Sequence, residues 1–279
     1  MPLPEALQLK VNDDRILHGW AWPAPSETVG QLLLVHGLGE HARRYDRLAN
    51  TLWADGWHVL AYDQLGHGQS PGPRGDLPFA DALVEDLAAV YGHWGSPELP
   101  RVVLGHSLGG LVVADWISGR LSPHHKPVGI VLSSPALGAK TNLIQRFLLA
   151  TLPKIFPHLC VANGVNPALI SHDATVVKQY RADPLVHDRI SALLAAWIIA
   201  RGSEVQQRAS DWRTPTLVQY AGDDYLVDAE ATWQFIQNSP AGVVTGTRFE
   251  GAYHEVYNEL SQWREPAVTQ LLGALRGFL

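Results

Sequence analysis

The run Val102-Val103-Leu104 passes directly into Gly105-His106-Ser107-Leu108-Gly109 and then into Leu111-Val112-Val113-Ala114. An apolar strand, a glycine-flanked serine and an apolar helix with no linker between them leave the chain few conformations. The turn is so tight that the serine takes a strained backbone conformation, and a side chain at the flanking glycines would collide. Ser107 then stands clear of the C-terminal edge of a sheet, with its backbone close to the first helical turn.

Most of the chain repeats this alternation. Residues 7–11 and 16–21 flank Asn12-Asp13-Asp14 and read as an opening hairpin. The apolar run at 31–35 and the segments 58–62, 129–132, 215–220 and 245–249 read as strands separated by helical patterns. Tyr45, Leu48, Ala49, Leu52 and Trp53 share one helix face that ends at Gly56. Leu83, Val84, Leu87, Val90, Tyr91 and Trp94 share another, with Glu85 and Asp86 expected to point outward. Buried strands between amphipathic helices specify an α/β fold, its largely parallel sheet covered on both faces.

A chain of 279 residues, 46% of them hydrophobic, can bury one large core as a single domain. With a formal charge of -6 and no basic run longer than Arg43-Arg44, no nucleic-acid partner is expected. The single cysteine, Cys160, excludes an internal disulfide and a Cys-rich metal site, and is compatible with a reducing, cytoplasmic location. Met1-Pro2-Leu3-Pro4-Glu5 lacks the pattern of a secretory signal, and no apolar stretch is long enough to span a bilayer. A soluble protein is therefore expected. There is no H-E-x-x-H, His36 with His41 has no carboxylate at ligand spacing, and no G-x-G-x-x-G opens the first βα unit. Neither a metal nor a cofactor is expected.

From 137 to 204 the alternation lapses into helical patterns without a strand, between two strands that should be one helix apart. This stretch is expected to be a helical cap, with 1–136 and 205–279 forming the core. Segments 143–152 and 190–200 are apolar on nearly all sides and must bury two faces. Trp197, the bulkiest residue of the second segment, is expected to border an acyl pocket; cap helices packing on one another is the plainer alternative.

A serine hydroxyl is a poor nucleophile without a base, and the base needs an orienting acid. Downstream of Ser107, His124, His125, His158, His172 and His187 lie before a strand or inside the cap, and only His254 follows the last strand. The acid belongs after the penultimate strand, where Asp223, Asp224 and Asp228 all stand. An oxyanion needs two backbone N–H groups, usually the one after the nucleophile, here Leu108, and one from the loop His36-Gly37-Leu38-Gly39, where Leu38 is chosen. His36, just before that loop, is expected to be structural.

The blocks His36-Gly37-Leu38-Gly39-Glu40-His41 and Asp63-Gln64-Leu65-Gly66-His67-Gly68-Gln69-Ser70, with Arg44-Tyr45, Gly105–Gly110, Tyr180, Asp183-Pro184-Leu185 and Gly251-Ala252-Tyr253-His254, carry a resemblance. The chain resembles the monoacylglycerol lipase and lysophospholipase group of α/β-hydrolases, through nearly its whole length. The resemblance implies Asp224 as the acid, Leu38 and Leu108 as oxyanion donors, and Glu40, Arg44 and Tyr180 near the alcohol end of the substrate. Leu108 departs from the methionine often found there, and Tyr257 from the second histidine of animal members. The expected function is a cofactor-free serine esterase acting on a lipid-like ester, foremost a monoacylglycerol, with transient membrane contact through the cap. A lysophospholipase or broad carboxylesterase is the alternative. A catalytically silent binding protein is disfavoured by the intact Ser107, acidic loop and His254.

Overall fold

The computed structural model describes residues 2–119, 126–139 and 151–279. Eight strands form one sheet in the order β1-β2-β4-β3-β5-β6-β9-β10. The hairpin β1 (Glu5–Lys10) and β2 (Ile16–Ala21) is antiparallel and joins β4 (Trp57–Tyr62) antiparallel. From β4 onward every pairing is parallel: β3 (Gly30–Val35), β5 (Arg101–His106), β6 (Gly129–Ser133), β9 (Thr216–Ala221) and β10 (Val244–Phe249). Alternate side chains of the central strands feed two separate cores, as a sheet covered on both faces requires. Leu33, Val35, Leu60 and Val103 pack under α2 (Ala82–His93) and α3 (Leu108–Ser118). Leu32, Leu34, Val59 and Leu104 pack under α1 (Asp46–Ala54) and a long helix, Ser261–Phe278, at the end of the chain.

Three local expectations are corrected. Asp86 does not point outward: it is 1% exposed and accepts from Arg15 Nε at 2.7 Å. The N-terminal hairpin covers that side of α2, so burial pushes the Asp86 carboxyl up to about 6 against the pull of Arg15. The stretch 137–204 does contain strands, since β7 (Cys160–Ala162) and β8 (Arg189–Ser191) pair antiparallel. At three residues each they are too short for a periodic signal. The apolar segment at 190–200 starts as a helix only at Ala192, where Ser191 Oγ caps Leu194 N–H at 3.1 Å, and it continues to Gln207, past the expected boundary at 204. Residues 143–150 of the other apolar segment, with His124 and His125, lie outside the described residues.

Between β6 and β9, α4 (Ala174–Ala182) and α5 (Ala192–Gln207) lie over the strand ends. Two seams tie β8 and its approach to core loops. His187 N–H donates to Gly39 O at 2.9 Å, and Ser191 N–H to Gly75 O at 2.8 Å. Among the described residues no helix is long and apolar enough to cross a membrane. The last two helices are α6 (Ala229–Asn238) and α7 (Ser261–Phe278).

Candidate active site

Ser107 sits at φ 52°, ψ −116°, between β5 and α3. This is the left-handed region that a serine adopts only under constraint. A Cβ on Gly105 would come within 2.5 Å of Gly109 O, and one on Gly109 within 2.2 Å of Val35 O. Both glycines are therefore required by close backbone approach. Ser107 N–H is held by Ser133 O at 2.9 Å, and its carbonyl accepts from Ala136 N–H at 3.0 Å.

The loops after β9 and β10 are joined by Asp223 N–H donating to Ala252 O at 3.1 Å. That junction brings the expected acid and base together: Asp224 Oδ2 lies 2.7 Å from His254 Nδ1. Asp224 Oδ1 accepts from the Leu226 and Val227 N–H groups at 2.9 and 3.0 Å. Burial opposes the charge on Asp224, but the His254 pairing and the two backbone donors outweigh it and hold its carboxyl below the usual range. Burial likewise opposes a charged His254, yet Asp224 raises its pKa above the ordinary imidazole value. Asp223 is exposed, and Asp228 caps α6 by accepting from Glu230 N–H at 3.2 Å. Of the three carboxylates left open by position, the geometry pairs Asp224 with the imidazole.

Ser107 and His254 face one cavity of about 140 Å³, which Leu38 and Leu108 also line. Leu108 is the first residue of α3, so its N–H belongs to the helix end that lacks an internal partner. Gly37 N–H is engaged by Glu40 Oε1 at 2.6 Å, which leaves Leu38 as the next donor along the loop. A Cβ on Gly37 would lie 3.2 Å from that of Ser107, so this loop runs directly over the serine. His36 is structural as expected. It is fully buried, bonded through Nδ1 to Gly37 O at 2.8 Å, and accepts from Gln64 N–H at 2.9 Å.

Glu40, Arg44 and Tyr180 all line this cavity. Arg44 donates to Glu40 Oε2 at 2.5 Å and to both oxygens of Glu255 at 2.7 Å, and its guanidinium lies 4.7 Å from the Tyr180 ring centre. Tyr45 OH closes the network on Glu40 Oε1 at 2.7 Å. Glu255 was missed from sequence although it follows His254 directly; only its spatial neighbour Arg44 reveals it. Glu259 was missed too. It is 0% exposed, and Oε1 accepts from Tyr253 N–H at 2.8 Å and meets His172 Nδ1 at 2.8 Å.

Trp197 does not line the cavity. It is 4% exposed within the core beneath α3, and the next residue of α5, Ile198, reaches the cavity instead. One helical step of about 100° separates the two, and the larger ring went to the deeper side. Tyr257 also turns away from the cavity into the layer under α7, where its hydroxyl donates to Gln219.

A serine on a strained strand-to-helix turn and a buried histidine–aspartate pair, set on a mostly parallel sheet, define a serine ester hydrolase of the α/β-hydrolase fold. Residues 26–261 match the family model Hydrolase_4, described as serine aminopeptidase, S33, and the chain belongs to this family. It is 34% identical over 247 residues to a monoacylglycerol lipase of Mycolicibacterium smegmatis, covering 86% of each chain. It is 31% identical to an abhydrolase domain-containing protein of Dictyostelium discoideum over 95% of its own length, but spans only 28% of that relative. The crystal structure of Paleococcus ferrophilus monoacylglycerol lipase superposes with a TM-score of 0.85 at 32% identity, over 94% of this chain and 99% of that one.

Proposed function

We propose that this chain hydrolyses monoacylglycerols to glycerol and a fatty acid through an acyl-enzyme. The observation that carries the reading is the cavity shared by Ser107 and His254. Its lining joins one polar network, Glu40, Arg44 and Glu255 with Tyr180, to apolar side chains, Ala136, Ile198, Leu226 and Val227. An ester with a polar alcohol and an apolar acyl chain matches that division.

Ser107 Oγ attacks the ester carbonyl. With Nδ1–H donated to Asp224, the free Nε2 of His254 takes the serine proton. The Leu38 and Leu108 N–H groups hold the developing oxyanion. His254 then passes its proton to the departing glycerol oxygen, leaving the acyl chain on Ser107. Water, deprotonated by His254, adds to that ester; the acid leaves and Ser107 regains its proton. Glu40, Arg44 and Tyr180 bind the alcohol.

The described residues between β6 and β9, through the end of α5 at Gln207, act as the cap, which provides the acyl wall through Ile198. The exposed Ile155, Phe156, Leu159 and Val161, between 47% and 65% accessible, form the face that touches a lipid surface transiently. The site of action is cytoplasmic.

A panel of monoacylglycerols, lysophospholipids and nitrophenyl esters of graded acyl length tests the reading. Monoacylglycerols of medium and long chain should have the highest kcat/KM. Hydrolysis of lysophospholipids in preference to monoacylglycerols would instead favour a lysophospholipase, and a flat profile a general esterase.

A further inference from the structure

The polar network of the cavity carries more negative than positive charge among its described residues. Glu40 and Glu255 are 3% and 5% exposed, and Asp224 stands behind His254 with its side chain 1% exposed. Among the described residues, Arg44 is the guanidinium that lines this cavity. Among the described residues here, the three carboxylates outnumber Arg44 and His254 even when His254 is protonated. The neighbouring groove holds Asp183, 2.9 Å from His41 Nε2, with Asp46, Arg43 and Arg47, so the carboxylate excess belongs to the cavity itself. His36 and His106 add no lasting positive charge, because burial lowers both, His106 to about 3.

Arg44 is the group that would otherwise receive an anion, and it is already committed. Both its terminal nitrogens bond to Glu255 in the bidentate manner that carboxylates and guanidinium share, and one bonds to Glu40 as well. The Tyr180 ring covers one face. A phosphate entering here would have to displace a buried carboxylate or remain unpaired beside two of them, and an unpaired buried charge is the most costly outcome.

We propose that this polar network sorts esters by the charge of their leaving alcohol, accepting neutral and cationic alcohols and rejecting those that bear a phosphate. This rests on the reading of the polar network as the alcohol site. It assigns uncharged glycerides, rather than phosphate-bearing lysolipids, as the substrate class. The selection is electrostatic and buried, so it holds at high as well as low ionic strength.

Water-soluble butanoate monoesters of glycerol, choline and glycerol 3-phosphate give a neutral, a cationic and an anionic alcohol without a lipid interface. The expected kcat/KM for the phosphate ester is at least about 30-fold below that of the glycerol ester, about 2 kcal/mol in barrier. The choline ester should lie within about tenfold of the glycerol ester. Glu255→Gln removes one negative charge, and should shrink the glycerol-to-phosphate ratio at least about fivefold even if overall turnover falls. Glu40→Gln serves in its place should Glu255→Gln unfold. A phosphate ester within threefold of the glycerol ester in the wild type overturns the proposal. So does a choline ester as poor as the phosphate ester, which would indicate size, or an unchanged ratio in the folded variants. Failure to cleave the glycerol ester while nitrophenyl butanoate is cleaved would instead sink the monoacylglycerol reading. The choline-to-phosphate ratio would still report on charge.

Discussion

Asp223 and Asp224 are chain neighbours with opposite surroundings. One is exposed and the other is buried against His254, with two backbone N–H groups on its second oxygen. Asp224→Asn should therefore lower kcat about 10⁴-fold through the wrong histidine tautomer, whereas Asp223→Asn should change it less than about threefold. Steady-state kinetics on the two purified variants checks this, and equal losses would refute the pairing. The same contact sets the pH dependence. His254 must be neutral to accept the serine proton, and its pKa is raised above 6.5, so activity is lost as pH falls through a value above 6.5. The acidic limb of kcat/KM should have its midpoint above 6.5 in the wild type. It should move down in Glu255→Gln, because Glu255 also favours the imidazolium. A limb below 6 in the wild type would contradict the buried pair.

Among the elements, the loop carrying Leu38 is tied to the segment that leads into β8. Gly39 has φ +76°, its carbonyl accepts from His187 N–H, and a Cβ there would meet His187 O at 2.4 Å. Gly39→Ala should thus displace the Leu38 N–H and lower kcat by about 10²-fold or more, with KM changed much less. Comparable loss in KM alone would point to the cap rather than the oxyanion site. In α5 the two neighbours Trp197 and Ile198 should separate cleanly. Trp197→Ala removes a buried core ring and should cost about 3–5 kcal/mol of stability, with acetate and palmitate esters affected alike. Ile198→Ala, at a half-buried position, should cost less stability than Trp197→Ala and lower kcat/KM several-fold more for palmitate than for acetate. The reverse pattern would restore Trp197 as the acyl wall.

Over the whole molecule, what the sequence made legible followed from local rules. Both-face burial wrote near-continuous apolar runs at 31–35 and 102–104, so the parallel sheet could be read residue by residue. The Gly105–Gly109 turn was legible because only one backbone geometry fits it. What escaped depends on partners distant in the chain. Arg15 lies 71 residues from the Asp86 it covers, and Arg44 lies 211 residues from Glu255. The three-residue strands β7 and β8 are held by their pairing and their seams to Gly39 and Gly75, which leave no mark on periodicity. Apolar periodicity marked α5 as two-sided, but could not decide whether Trp197 or Ile198 faced the cavity. The account as a whole stands on Ser107 as the nucleophile that releases glycerol. The most direct measurement is glycerol and fatty-acid release from 1-oleoylglycerol by the wild type and by Ser107→Ala, at matched melting temperature. The wild type should release the two products in equal amounts, and Ser107→Ala should be slower by at least about 10³-fold. A folded Ser107→Ala protein retaining a tenth of the wild-type rate, or a wild type that cleaves nitrophenyl esters but frees no glycerol, would contradict it.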